Sequence, residues 1–214
     1  THKFLINKLK DKKIFKVYKK FEKYLKVDQD FIVAVSGGPD SLALSYLAKI
    51  YSIKKSIKVK YFIIDHKLRE NSSSEVKFVK NLFRKLSIKL TILKWTGNKP
   101  VNNIQSIARA KRYKLLINKA KKLKINYILL GHHNDDLIEN FFIRFLRGSG
   151  LNGLVSFDEK SENEKINLIR PLIKFSKQDL EYVSNKVFGT FVFDPSNENE
   201  KFKRVKIRNF IKNL

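Results

Sequence analysis

The chain has 214 residues, 43% of them hydrophobic, and carries 46 Lys and Arg against 20 Asp and Glu, a formal net charge of +26; this length suits one α/β domain with a small appendage. The lack of cysteine excludes disulfides, thiolate metal sites and any catalytic thiol. No apolar run approaches the roughly 18 residues of a membrane span, and the amino terminus has no continuous apolar core of signal-peptide type, so a soluble cytoplasmic protein is expected.

Residues 1 to 27 hold ten lysines against Asp11 and Glu22, with Ile14, Tyr18, Phe21 and Leu25 at helical spacing. This predicts an amphipathic helix with a wet basic face. The apolar run Phe31 to Val35 then leads into Ser36-Gly37-Gly38-Pro39-Asp40-Ser41 and the apolar stretch Leu42 to Leu47, which reads as strand, tight turn and helix. Two adjacent glycines let the backbone turn sharply and bring N–H groups close to a ligand, and the helix start adds its amides and the positive end of its dipole. That is an anion site. Ser36 and Ser41 can donate to phosphate oxygens, whereas Asp40 would repel a bare anion and makes sense with a cation between them. A magnesium nucleotide therefore fits better than a free phosphate. No Gly-Lys-Ser/Thr follows and no third glycine is present, which sets aside the common nucleotide loop and the dinucleotide fingerprint.

Lys58 to Asp65 reads as a second buried strand, ending at Asp65-His66-Lys67-Leu68-Arg69 on the edge where open α/β sheets bind ligands. Ser72 and Glu75 have capping-box spacing at the start of a helix with Val76, Val79, Phe83 and Leu86 as its buried stripe. Lys89 to Trp95 is a third strand, and Thr96 to Asn103 a loop. A long helix spans Ile104 to Leu123 and carries Arg109 and Arg112 three apart near its start, where they could receive phosphates or a nucleobase.

Tyr127 to Leu130 is the next strand, and it runs into Gly131-His132-His133-Asn134-Asp135-Asp136-Leu137-Ile138-Glu139. Asn134 is read as the helix cap, Asp135 and Asp136 as its first turn, and Leu137, Ile138, Phe141, Phe142 and Phe145 as its apolar side. Two carboxylates beside two histidines at a strand terminus suggest magnesium coordination or positioning of a cationic substrate. The helix closes with Arg144, Arg147 and Gly148. Alternation of strand and helix predicts a parallel sheet covered on both faces. From 151 onward the expectation is a small, mostly helical extension: a polar loop at 158–167, an extended piece at 169–173, a capped helix from Ser176 to Val187, one more strand at 191–193, and a basic terminal helix with Arg204 and Arg208. The division is 1–27 basic helix, 28–150 nucleotide domain, 151–214 extension.

The Ser36–Ser41 loop resembles the SGGxDS loop of the PP-loop ATP pyrophosphatase superfamily. The ordered set is more specific. Asp65 to Arg69 looks like DHGLR, Ala108 to Tyr113 like ARxxRY, Gly131 to Glu139 with Arg144 to Gly150 like GHHxDDxxET followed by LxRGSG, Arg170 to Leu172 like RPL, and Asp194 to Asn197 with Arg204 to Arg208 approximates DPSN followed by RNxIR. Together these resemble the amino-terminal catalytic part of the tRNA(Ile)-lysidine synthase family. The departures are Lys67 for glycine, Asn140 for threonine and Val205 for asparagine.

The resemblance implies a Rossmann-like PP-loop ATPase fold and ATP-dependent attachment of free lysine to the first anticodon cytidine of tRNA(Ile) bearing CAU, through an adenylated cytidine, with release of pyrophosphate and AMP. It implies that Ser36 to Ser41, including Gly37, Gly38 and Pro39, bind the pyrophosphate portion of ATP, and that Asp40 with Asp135 or Asp136 holds Mg2+. His132 or His133 with Arg109 and Arg112 would stabilise the adenylated base or its phosphate, Glu139 would meet the lysine ammonium, and Arg144, Arg147, Arg204 and Arg208 would serve the tRNA. An oligomer is compatible with this; a membrane or DNA partner is not expected. The rivals are a thiolating PP-loop enzyme, whose thiol-bearing members a cysteine-free chain cannot match, a small-molecule amidating synthetase, which has no need of +26, and a catalytically silent RNA-binding protein, which has no need of the carboxylates.

Overall fold

A computed structural model describes residues 2–68, 71–97, 100, 102–148, 160–193 and 207. At its centre lies β1 (Phe31–Val35), five consecutive apolar residues free of Gly and Pro, as a strand buried on both faces requires. Around it stand β2 (Val59–Asp65), β3 (Leu90–Lys94), β4 (Tyr127–Leu129), β5 (Lys160–Asn163) and β6 (Ile166–Ile169) in the order β3-β2-β1-β4-β6-β5. All neighbours are parallel except the β5/β6 pair.

The helices are α1 (His2–Asn7), α2 (Lys12–Tyr24), α3 (Pro39–Lys55), α4 (Ser72–Lys85), α5 (Ile104–Leu123), α6 (Asn134–Phe145) and α7 (Lys177–Phe188). Alternate residues of β1 serve opposite cores. Phe31, Val33 and Val35 join the layer built with α2, α3, α4 and α7, while Ile32 joins Leu116, Ile117 and Ala120 of α5. From β1 the chain winds outward through β2 and β3 and then returns to the other side of β1 as β4. The strand order therefore reverses between β1 and β4, the place where α/β sheets open a crevice at their carboxyl ends.

Several expectations are corrected. The amino-terminal helix is broken: a 3-10 turn, Lys8–Lys10, separates α1 from α2. Asp11 leaves the helical backbone to cap α2, accepting from Lys13 N at 2.9 Å and Ile14 N at 3.1 Å, and it also accepts from Tyr182 Oη of α7 at 2.8 Å. Part of the basic face is spent on the fold, since Lys8 Nζ donates to Lys186 O and Lys20 Nζ to Lys174 O. Ser72 and Glu75 form no capping box, because Asn71 is already helical at φ −82 and α4 has no side-chain cap there.

The largest change follows residue 151. The polar stretch expected as a loop is the β5/β6 hairpin, whose turn residues Glu164 and Lys165 have φ 51 and 67. Such a turn ordinarily takes Asn or Gly, so its residues gave no signal. The extension is thus not mostly helical in its described part, because it adds two strands to the main sheet. The capped helix is present as α7, with Ser176 Oγ accepting from Asp179 N at 3.2 Å. Residues 191–193 form no strand, yet Val192 N donates to Gly37 O at 3.0 Å. Ser149-Gly150, Asp194 to Asn197, Arg204 and Arg208 lie outside the described residues.

Candidate active site

Two loops meet at the crevice, one leaving β1 and the other leaving β4. In the first, Ser41 Oγ accepts from Ser36 N at 3.2 Å, Gly37 N at 3.1 Å and Ser36 Oγ at 3.0 Å, and donates to Gly38 O at 2.9 Å. The hydroxyl expected to face phosphate is therefore buried and holds the loop from inside, while Ser36 is exposed at its rim. Gly37 has φ 95, and a Cβ on it would come within 2.7 Å of Val79 Cγ2 and 3.1 Å of Val192 Cγ2. Only glycine fits. Gly38 precedes α3 with no side-chain cap, and Pro39 opens the helix, so the start of α3 is left to a ligand.

The second loop caps its own helix. His133, not Asn134, is the N-cap of α6: its Nδ1 accepts from Asp135 N at 3.3 Å, and Asp136 Oδ2 accepts from His133 N at 3.0 Å. An imidazole nitrogen did here what an asparagine oxygen was expected to do. The other ring nitrogen, Nε2, faces Asp40 Oδ2 at 3.6 Å and Asp136 Oδ2 at 3.7 Å. Asp135 is turned further out, with its Oδ2 at 3.9 Å from Nδ1 and its side chain half exposed. Gly131 allows this meeting, because a Cβ there would lie 3.2 Å from both Cα and N of Ser41.

Burial pushes the Asp40 carboxyl up to about 6; His133 opposes the rise and Asp136 adds to it. Its Oδ1 is buried and has no hydrogen-bond partner among the described residues. Burial likewise holds His132 down at about 3, with the charge of Asp136 opposing and those of Arg109, Arg170 and Arg112 reinforcing. His132 is thus a neutral ring among three guanidiniums and a carboxylate. Arg109 and Arg112 flank Tyr113, with guanidinium carbons 5.6 and 5.8 Å from the ring centre. Glu139 is buried on the inner side of α6, Arg144 is half-buried and Arg147 exposed.

Arg170 was not singled out from the residues themselves. It follows β6, is buried, and donates through Nη1 to Ser161 Oγ at 3.1 Å. Asp65, at the end of β2, accepts from Lys67 N at 3.1 Å and from Ser73 Oγ at 2.8 Å. Lys67 has φ 50, the left-handed backbone that explains why a glycine is usual at this place in the motif. Among the described residues, no group of three or more His, Asp and Glu is arranged to hold a metal ion. Asp40 and Asp136 fit a more modest demand, because magnesium commonly takes one or two carboxylates and completes its shell with water and substrate phosphates.

A strand-loop-helix anion site at a topological switch point, faced by a carboxylate pair, defines a nucleotide-using α/β domain. Residues 8–214 match the PP-loop domain model, and the chain belongs to that ATP-using family. It is 39% identical over 182 residues to a tRNA(Ile)-lysidine synthase of Orientia tsutsugamushi, covering 85% of this chain and 41% of the relative. It is 36% identical over 185 residues to another from Rhodopseudomonas palustris, covering 86% and 54%. The chain thus spans about half or less of the length of these relatives. In fold it is similar to a U34-tRNA thiolase from Methanococcus maripaludis, solved with its [4Fe-4S] cluster: TM-score 0.81 at 17% identity, covering 94% of this chain and 72% of that one.

Proposed function

We propose that this chain carries the catalytic domain of a lysidine-forming ligase, which joins free lysine to the first anticodon cytidine of tRNA(Ile) bearing CAU at the expense of ATP. The observation that carries this reading is the meeting of α3 and α6, where Asp40 and Asp136 lie 3.6 and 3.7 Å from one imidazole nitrogen beside an uncapped helix start. A phosphate chain held at Ser36 to Ser41 would lie beside this carboxylate pair, because Asp40 belongs to the same loop. Residue similarity to the two synthases supports the substrate, and the charge of +26 suits a polyanion.

The cytosine carbonyl oxygen is a poor leaving group. Its attack on the α-phosphorus releases pyrophosphate and makes it a good one, after which the lysine amine displaces AMP from the ring carbon. Asp40 and Asp136 would hold magnesium, which supplies charge neutralisation at the phosphates. Arg109 and Arg112 receive the negative charge of the adenylate, and neutral His132 donates or accepts one hydrogen bond at the base without adding charge. Glu139 meets the lysine ammonium. The reaction belongs in the cytoplasm, where tRNA is modified.

The test is pyrophosphate release from ATP with tRNA(Ile) transcript bearing CAU, with and without lysine, set against tRNA(Met) with the same anticodon. Release that needs tRNA(Ile) is expected. Release with small amines and no tRNA would favour the amidating synthetase instead.

A further inference from the structure

On the apolar side expected for α6, Leu137 is 37% accessible, Phe141 42% and Phe145 59%, while Ile138 and Phe142 are half-buried; Leu146, just past the helix, is 70% accessible. Phe141 and Phe145 stack with centroids 6.2 Å apart and planes within 13°, and Phe142 meets Phe141 edge-on at 5.6 Å. Arg144 and Arg147 lie within the same stretch, and its one acidic residue, Glu139, is buried. What remains outside is apolar, with two phenylalanine rings, beside exposed Arg147 and half-buried Arg144. We propose that this face of α6 is a stacking platform for unpaired nucleobases of the RNA substrate, a reading that rests on the function given above.

Three observations select this occupant. Flat rings with neighbouring guanidiniums suit bases and phosphates together, the pairing that single-stranded nucleic acid uses. The stripe begins at Leu137, next in sequence to Asp136, so it starts at the same end of α6 that carries the carboxylates. Residues 137 to 145 span about 12 Å of helix, room for about three bases at roughly 3.4 Å each. A second copy of the chain fits worse, since self-pairing would oppose arginines on two bodies of +26.

The experiment uses the full chain and an anticodon stem-loop RNA with 2-aminopurine in its loop. Wild-type protein should bind it and quench the probe. The double substitution Phe141→Ala, Phe145→Ala should weaken binding by roughly tenfold or more, abolish the quench and leave the salt dependence unchanged, because no phosphate contact is lost. Phe145→Ala alone should give an intermediate loss, and Phe145→Tyr should restore wild-type affinity; thermal melting of each variant checks the fold. RNA binding and quenching that survive the double substitution overturn this inference alone. Absence of RNA binding by the wild type overturns both it and the functional reading. Sedimentation with phosphatidylserine vesicles, or a wild-type dimer, that the substitutions abolish while RNA binding stays intact would assign the face to those partners and overturn the proposal.

Discussion

α3 and α6 begin side by side at the same sheet edge and are built in opposite ways. α3 starts at Gly38 with no side-chain cap and is buried through most of its length, Leu42 to Ala48 being fully enclosed. α6 is capped by the His133 ring and the Asp136 carboxylate, and its outer face is exposed. The first spends its packing to present bare backbone to an anion. The second has its cap from its own residues, and in the proposed function its side chains carry the chemistry. On that reading, an uncapped start on a deeply packed helix marks the phosphate site, and acidic residues at a helix start do not.

Breaking the carboxylate side should matter most. Asp40→Asn should lower tRNA-dependent pyrophosphate release by about 10³-fold, a size typical for loss of one preorganised charged group, while RNA retention on filters stays near wild type. The same substitution should stabilise the free protein. The Asp40 carboxyl is raised to about 6 in the fold, so the stability it supports is complete below about pH 4 and is lost as pH rises through 6. Asn escapes that loss. The melting temperature of Asp40→Asn minus that of wild type should be near zero at pH 4 and positive by pH 7.5, corresponding to about 1–3 kcal/mol; a difference that shrinks with pH would contradict the burial.

The open start of α3 can be attacked from two sides. Gly37→Ala places a Cβ 2.7 Å from Val79 Cγ2 on a backbone at φ 95, and should cost about 1–3 kcal/mol in denaturant unfolding and raise the KM for ATP. Gly38→Ser meets no such clash, its nearest neighbour being Ser36 Oγ at 3.8 Å. It should gain a few tenths of a kcal/mol by capping α3, yet weaken ATP binding because the new hydroxyl takes an amide meant for phosphate. Unchanged ATP affinity in Gly38→Ser would remove the contrast between the two helices. The smallest effect belongs to Lys67→Gly, which relieves a left-handed lysine and should shift the melting temperature upward by no more than about 1 kcal/mol equivalent.

The glycine loop and the start of α3 were legible because the motif fixes its own local geometry: Gly37 has a positive φ, and Pro39 fits a first turn. His133 as cap was not legible, since asparagine next to it is the commoner cap by far. The exposure of Phe141 and Phe145 was not legible for a different reason, because periodicity gives the width of an apolar face but not what lies against it. Arg170 acquires its place through β6, and β6 depends on a Glu164-Lys165 turn whose left-handed backbone neither residue announces. Val192 binds Gly37 O from a segment that has no strand partner, a long-range contact with no local pattern behind it.

The most direct measurement is mass spectrometry of nucleosides digested from tRNA(Ile) bearing CAU after incubation with this chain, ATP and isotope-labelled lysine. A labelled cytidine derivative carrying lysine in place of the ring carbonyl oxygen, formed by wild type and absent with Asp40→Asn, is the predicted result. Pyrophosphate release with tRNA but no lysine-bearing nucleoside would contradict the assignment of lysine as the amine, and an unchanged yield with Asp40→Asn would contradict the α3/α6 junction as the reacting centre.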